Sequence, residues 1–320
     1  MHDDSSDDAL RRRLYHAMQR IRCVEEEIAR VYPRDAVKSP IHLSIGQEAV
    51  SVGVCDLLRP HDVVFGTYRG HAAYLAKGGS LPAMLAELYG RRAGCGGGRA
   101  GSMHLGDVGA GVMGSSAVVG TTLPQAVGYA LALRMRRERR VVVAFFGEGA
   151  TEEGVWFESV AFAAQRALPI LFVCENNRFA ICADVMARMR GAGPCGRAEA
   201  LGVPARRVEE QDVLAVRAAA AAQLEAVRRG AGPRLLECLT WRWREHVGPA
   251  DDTHLGYRSA EEAKAWQEAD PLARLGDALP TAVRAEIDRQ VTREIREAVR
   301  FAEDSPFPGP EELLDHVVRG

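Results

Sequence analysis

Val141-Val142-Val143-Ala144-Phe145-Phe146-Gly147-Glu148-Gly149 and, one crossover later, Ile170-Leu171-Phe172-Val173-Cys174-Glu175-Asn176-Asn177 decide how this chain is read. The apolar runs Val141 to Phe146 and Ile170 to Cys174 are short, β-branched and aromatic, the pattern of strands buried on both faces. Between them Val155, Phe157, Val160, Ala161 and Ala164 recur at helical spacing on one face. Glu152 and Glu153 stand near the start, where the helix dipole favours anions, and Pro169 closes the connection. Strand, helix and strand in that order predict a βαβ unit with parallel strands, so Glu148 and Asn177 both leave carboxyl ends on the same edge of one sheet. A carboxylate, an amide oxygen and a nearby backbone carbonyl, that of Phe179, make a hard-oxygen set suited to Mg²⁺ that keeps phosphate oxygens as its other ligands.

Outward from this unit, the chain starts with an acidic, polar stretch expected to be a disordered tail over residues 1–8. An amphipathic helix follows, with Leu10, Leu14, Met18, Ile21, Val24 and Ile28 on one face. Helices are expected at Gln47 to Leu58 and Leu81 to Tyr89, with Val63-Val64-Phe65 a strand between them. The loop Gly94 to Gly101 contains Gly96-x-Gly98-x-x-Gly101, which alone matches a dinucleotide fingerprint. The segment before it, Ala83 to Arg92, reads as helix and not as strand, so the context a Rossmann site requires is missing. Beyond the central unit, Val213 to Arg228 reads as an alanine-rich helix, Arg234 to Trp243 as a strand and Thr281 to Ala302 as a helix. Pro306, Pro308 and Pro310 then mark an extended linker to a short final helix. No internal repeat is present. The reading gives one large domain over residues 9–304 and a C-terminal extension over 305–320.

At 320 residues the chain buries a large core, and a net charge of −2 gives no reason to expect nucleic acid or an anionic membrane as partner. Seven scattered cysteines, with no C-x-x-C pair, indicate neither a zinc site nor a disulfide framework and point to a reducing, cytoplasmic compartment. The start Met1-His2-Asp3-Asp4 has the wrong chemistry for a signal or transit peptide, and no apolar run approaches the roughly 20 residues needed to span a bilayer.

Gly147-Glu148-Gly149 followed after a crossover by Asn176-Asn177 resembles the thiamine diphosphate signature. With it stand His42-Leu43-Ser44-Ile45-Gly46-Gln47-Glu48-Ala49, Tyr68-Arg69-Gly70-His71, Gly101-Ser102-Met103-His104, Val119-Gly120 with Pro124, and Tyr257-Arg258. Together, from about Leu10 to Leu314, they resemble the alpha subunit of the decarboxylating component of 2-oxo acid dehydrogenases of the pyruvate, branched-chain and acetoin type. The resemblance implies an α/β thiamin-diphosphate-binding fold: a mostly parallel sheet with helices on both faces and helical N- and C-terminal extensions. It implies thiamine diphosphate and Mg²⁺ as cofactors, with Glu148, Asn177 and the Phe179 carbonyl as metal ligands and Gly149 and Ala150 offering N–H groups to the diphosphate. By the same resemblance Tyr68 and Arg69 contact the cofactor, and Ala117 and Val119 meet its aminopyrimidine through backbone groups. His42 and His246 match two active-site histidines, expected as proton donors with near-neutral pKa. His71 and His104 stay unassigned.

The family's alpha chain lacks the glutamate that protonates the aminopyrimidine, and no second sheet-rich half here supplies one. The resemblance therefore implies a beta subunit packed across the cofactor in a heterotetramer of two alpha and two beta chains, with an apolar face on the isolated subunit. It further implies a small 2-oxo acid as substrate and a lipoyl acyltransferase as acceptor of the acyl group. Departures from the family keep an alternative open. Arg244 stands where many members have a second histidine, Glu245 where glycine is common, and the loop Gly248 to His254 is atypical. These favour a thiamine-dependent two-carbon transferase acting on a sugar or aldehyde acceptor. Val247 replaces a serine that is phosphorylated in mitochondrial members, which removes that chemistry here. A nicotinamide oxidoreductase, possible in principle on a sheet of this type, is disfavoured on motif grounds, since Gly147 to Glu152 lacks the third glycine and sets carboxylates against a pyrophosphate.

Overall fold

Every strand of the principal sheet runs parallel, and each alternates its side chains between two separate cores. A computed structural model describes residues 4–315. The strands are β1 (Val63–Phe65), β2 (Val112–Gly114), β3 (Val142–Gly147), β4 (Ile170–Asn176), β5 (Phe179–Ala180), β6 (Ala183–Asp184), β7 (Ala205–Val208) and β8 (Arg234–Leu239). The first helices are α1 (Asp4–Val31), α2 (Glu48–Cys55), α3 (His71–Lys77), α4 (Leu81–Leu88), α5 (Thr122–Met135) and α6 (Gly154–Gln165). They continue as α7 (Val185–Arg188), α8 (Gly193–Ala200), α9 (Val213–Arg228), α10 (Ala260–Glu268), α11 (Pro271–Asp277) and α12 (Thr281–Asp304).

The six-stranded sheet has the order β2-β1-β3-β4-β8-β7, and β5 with β6 forms a separate antiparallel hairpin. Val143 and Phe145 of β3 and Leu171 and Val173 of β4 enter the core shared with α1, α2, α3, α4, α9 and α12. Val142, Ala144, Phe146, Ile170, Phe172 and Cys174 enter the opposite core with α5, α6 and α8. A sheet covered on both faces explains why these strands read as unbroken apolar runs. The α1 stripe Leu14, Met18, Ile21, Val24 and Ile28 is fully buried, as its spacing predicts. Helix α9 starts where Asp212 accepts hydrogen bonds from the N–H groups of Leu214 and Ala215, a side-chain cap.

Several expectations are corrected. Helix α1 already contains Asp4, so the tail expected through Asp8 is helical from that residue; anionic Asp7 and Asp8 in its first turns suit the helix dipole. Residues 1–3 of that expected tail lie outside the described residues, as do 316–320. The buried face of α6 is Trp156, Ser159, Val160 and Ala163, not the stripe through Val155 and Phe157, and Phe157 and Phe162 face outward. The final strand ends at Leu239 instead of Trp243 because its neighbour β4 ends at Asn176; after the Thr240 N–H to Asn176 carbonyl bond no ladder partner remains. The short final helix is a 3-10 turn, Pro310–Leu314. The proline-rich stretch leading to it is held against the glycine loop, with the Arg92 N–H donating to the Pro306 carbonyl and the Arg91 guanidinium 3.9 Å from the Phe307 ring centroid.

The glycine loop holds an anion, but one supplied by the chain itself. Glu87 of α4 is buried, and its carboxylate accepts hydrogen bonds from the N–H groups of Gly96, Gly98, Ala100 and Gly101 at 2.7–3.0 Å. A carboxylate wrapped in this way leaves no room for a pyrophosphate, which agrees with rejecting the dinucleotide fingerprint.

Candidate active site

Five loops leave the carboxyl ends of the principal strands and enclose one cleft. After β1 comes Thr67-Tyr68-Arg69, after β2 the segment Ser116 to Gly120, after β3 Glu148-Gly149-Ala150, after β4 Asn177, and beyond β8 His246. The strand order reverses at β1, and in open parallel sheets ligands bind at such a switch point. The cleft has a volume of about 420 Å³. His42, Tyr68, Arg69, Ala117, Val119, Glu148, Gly149, Ala150, Asn177, Phe179 and His246 all line it.

At one end lies an oxygen-rich corner. Glu148 is 2 % exposed, and Asn177 and Phe179 are also buried. The Asn177 amide donates to Gln47 Oε1 at 2.9 Å, while its oxygen accepts the Phe179 N–H at 3.1 Å, so both faces of the amide are oriented. Gly149 is needed because a Cβ there would stand 3.0 Å from the Ala180 side chain. Gly149 and Ala150 lie in a 3-10 turn, Glu148–Glu152, ahead of α6, and the first N–H groups of a helical turn have no partner within it. Among the described residues no cluster of three or more His, Cys, Asp or Glu forms a metal cage. One carboxylate, one amide and one carbonyl leave coordination positions for phosphate oxygens and water, which suits Mg²⁺.

The opposite wall carries positive charge. Arg69 is 7 % exposed and has no carboxylate partner among the described residues. Its guanidinium donates to the carbonyls of Leu43 at 2.7 Å and His246 at 3.2 Å. Burial lowers its pKa, since the charged form loses its hydration there. Beside it His42, Tyr68 and His246 pack ring to ring, with His42 centroids 4.5 Å from Tyr68 and 5.2 Å from His246. The His42 Nδ1 is buried and has no hydrogen-bond partner among the described residues. Gly46, at φ +92°, lets this histidine loop approach the sheet end: a Cβ there would meet the Trp241 carbonyl at 2.5 Å.

The expectation of near-neutral histidines is corrected. Burial, then Arg69, pushes His42 down to about 3 and His246 down to about 4. Both stay neutral in the folded chain, while the unfolded chain takes up protons below about 6.5. Stability from this source is therefore present above that value and lost as pH falls toward 4. Glu175, lifted to about 7 by burial, acts in the opposite sense and adds stability as pH falls from 7 through 4.5. Comparing wild type with His246→Asn separates the two. The difference in melting temperature, wild type minus variant, is expected to fall steadily between about pH 6.5 and 4. A difference independent of pH would mean His246 is protonated as readily folded as unfolded.

Residues 16–311 match the dehydrogenase E1 component family. The chain belongs to that family. Among its relatives is the alpha subunit of the acetoin:2,6-dichlorophenolindophenol oxidoreductase of Bacillus subtilis, 34% identical, covering 95% of this chain and 92% of the relative. The alpha-3 subunit of the chloroplastic pyruvate dehydrogenase E1 component of Arabidopsis thaliana is 38% identical over 95% of this chain and 73% of its own length. The corresponding alpha subunit of Zymomonas mobilis is 35% identical over 96% and 88%. Relatives of this kind do not favour the sugar or aldehyde transferase that Arg244 and Glu245 left open.

Of those two departures from the E1 pattern, Glu245 uses its side chain in this structure, whereas Arg244 contributes its backbone carbonyl. The Glu245 carboxylate accepts the Ala250 N–H at 2.9 Å and closes the loop after His246, while the Arg244 carbonyl accepts from Arg242 at 2.5 Å and from Arg258 at 3.2 Å. The histidines left unassigned separate cleanly. His71 is sealed in the core, its ring 2.8 Å from the Ser102 hydroxyl and 3.2 Å from the Glu25 carboxylate, a Ser-His-Glu array with no access to substrate. His104 sits outside the cleft but accepts the Ala117 N–H at 3.4 Å, so it steadies a cleft loop from behind. Sequence reasoning did not single out Gln47, Glu175 or Arg188. Gln47 stands inside a quoted motif without a role given to it, Glu175 stands immediately before Asn176-Asn177, and both line the cleft, whereas nothing local marked Arg188.

Proposed function

We infer that this chain is the alpha subunit of a thiamine-diphosphate-dependent dehydrogenase component that decarboxylates pyruvate or a close 2-oxo acid and passes the acyl group to a lipoyl arm. The carrying observation is a single cleft with a buried guanidinium lacking any acidic partner, Arg69, on one wall and the Glu148, Asn177 and Phe179 oxygens in its corner. An anion bridged to a divalent cation fits both. Thiamine diphosphate, when bound, supplies the electron sink on which a 2-oxo acid loses carbon dioxide.

The chain's own groups bind, orient and desolvate. Glu148, Asn177 and the Phe179 carbonyl would hold Mg²⁺, the Gly149 and Ala150 N–H groups and Arg69 would bind the diphosphate, and backbone at Ala117 and Val119 would meet the aminopyrimidine. Neutral His42 and His246 each donate one hydrogen bond and accept another, which orients a polar substrate without adding charge to the cleft. Tyr68, packed against both rings, fixes their tilt.

Val118 and Val119 are 63% and 42% exposed at the rim of the cleft, and Phe157 lies outward on the adjacent α6. This apolar rim supports a beta subunit closing the cleft; an assembly of two alpha and two beta chains, a lipoyl acyltransferase as the next partner and a cytoplasmic location complete the proposal and rest on the family likeness, not on the rim. Among the described residues no helix is long and apolar enough to cross a membrane. Acetoin is a second candidate substrate, favoured by the name of the Bacillus subtilis relative.

The test is to purify the chain with its beta subunit, add thiamine diphosphate and Mg²⁺, and follow reduction of an artificial electron acceptor with pyruvate, branched-chain 2-oxo acids and acetoin. Substrate-dependent reduction is expected and ranks the substrates. Absence of reduction by all of them, with cofactor bound, overturns the reading.

A further inference from the structure

The carboxylate in the oxygen-rich corner already has a counter-ion. Arg188, the last residue of the single-turn helix α7, places its guanidinium 2.6 Å from Glu148 Oε1 and in contact with Glu152, and its Nε donates to the Ala183 carbonyl at 3.0 Å. It reaches the corner from the segment that follows the β5–β6 hairpin. The Glu148 side chain is 3 % exposed and that of Arg188 15 %, so the contact is shielded from water and from salt, whereas Glu152 is 30 % exposed. A buried carboxylate requires compensation, and a guanidinium or a divalent cation can each provide it. Arg188 occupies Glu148 Oε1, and a guanidinium and a divalent cation drawn to the same oxygen in a shielded corner repel each other strongly.

We propose that Arg188 is the resident counter-ion of Glu148, that a divalent cation must displace it to use the carboxylate, and that the displaced guanidinium rests on Glu152, which it already touches. This rests on the metal site described under the proposed function. The consequence is an exchange of cations: without the cofactor, Arg188 holds the corner and weakens divalent-cation binding. A diphosphate, bringing its own negative charge, supplies the added attraction that makes exchange favourable. The site therefore loads cation and cofactor together.

Binding of Mn²⁺, a paramagnetic stand-in for Mg²⁺, is read by electron paramagnetic resonance on the cofactor-stripped complex of this chain with its beta subunit. Arg188→Gln is expected to bind Mn²⁺ about 10-fold more tightly than wild type, a difference of about 1.4 kcal/mol. Arg188→Lys, which keeps the charge, should stay within about threefold of wild type, and Glu152→Gln, which removes the resting place, should bind several-fold more weakly. Thermal melts confirm that each variant is folded, and the lysine and Glu152 variants carry the test if the glutamine variant is not. Equal or weaker binding by a folded Arg188→Gln, or unchanged binding by Glu152→Gln, overturns the exchange. Glu148→Gln tests the underlying site separately: it should abolish Mn²⁺ binding, leaving the free-ion spectrum undiminished, in both the wild-type and Arg188→Gln backgrounds. Binding retained in Glu148→Gln would overturn the metal site itself, and the exchange with it.

Discussion

Glu148→Ala is expected to abolish Mg²⁺-dependent binding of thiamine diphosphate to the assembled complex, a loss of more than about 100-fold by calorimetry. Loss of a group that merely orients a metal ligand costs 10- to 100-fold, and Glu148 is placed as the ligand itself. It is also the one carboxylate among the proposed ligands, so no neighbour replaces its charge. The substitution is a cleaner probe than Asn177→Ala. The Asn177 amide also bonds Gln47 and the Phe179 N–H, and its removal would disturb the loop as well as the metal. Arg188 keeps Glu152 as a partner when Glu148 is lost, so the fold should survive with little change in melting temperature. Unchanged cofactor affinity in a folded Glu148→Ala would remove the metal site from the proposal.

What the sequence disclosed and what it hid follow from the range of the forces involved. Strands β3 and β4 were legible because burial on both faces forces continuous apolar runs, and α9 because an alanine-rich run is intrinsically helical. The sequence also named eleven of the residues that line the cleft, since each lies in a short motif at a strand end or a turn. The buried face of α6 was misread because Gly154 to Gln165 is apolar almost all round, and its spacing does not choose between Trp156 and Phe157. Only packing against α5 and β3 makes that choice. Arg188 was invisible for a different reason: it stands 40 positions from Glu148, and an ion pair across that separation leaves no periodic trace. The same holds for Arg22, which is sandwiched between Glu48 and Asp270 with its guanidinium 4.1 Å from the Trp243 ring centroid.

Asp252→Ala is expected to cost about 3–5 kcal/mol of stability by chemical denaturation, the range found when one partner of a buried ion pair is removed. The Asp252 carboxylate is the shared partner of Arg242, at 3.0 Å, and Arg258, whose Nε lies at 2.7 Å, and it also accepts the Tyr257 hydroxyl. All three charged side chains are about 1% exposed. Burial alone would raise the carboxyl's pKa, yet the hydrogen bonds from Tyr257 and Arg242 and the charges of both arginines outweigh it and hold it below the usual range. Alanine would leave two guanidiniums in the interior without a counter-charge. Tyr257→Phe, by contrast, keeps all three charges and removes only the hydroxyl that donates to Asp252 and accepts from Arg242, and should cost about 2 kcal/mol. The damage from Asp252→Ala should also reach the cleft. Arg242 donates to the carbonyls of Arg244 and Ile181, and Arg258 to those of Arg242 and Arg244, so the cluster fastens the segment bearing His246 to the hairpin at the cleft mouth. Limited proteolysis should therefore open the loop Val247 to Gly256 in Asp252→Ala but not in Tyr257→Phe. A loss below about 1 kcal/mol with an intact loop would mean that both arginines regain water when the carboxylate is gone, and that the cluster does not hold His246 in place.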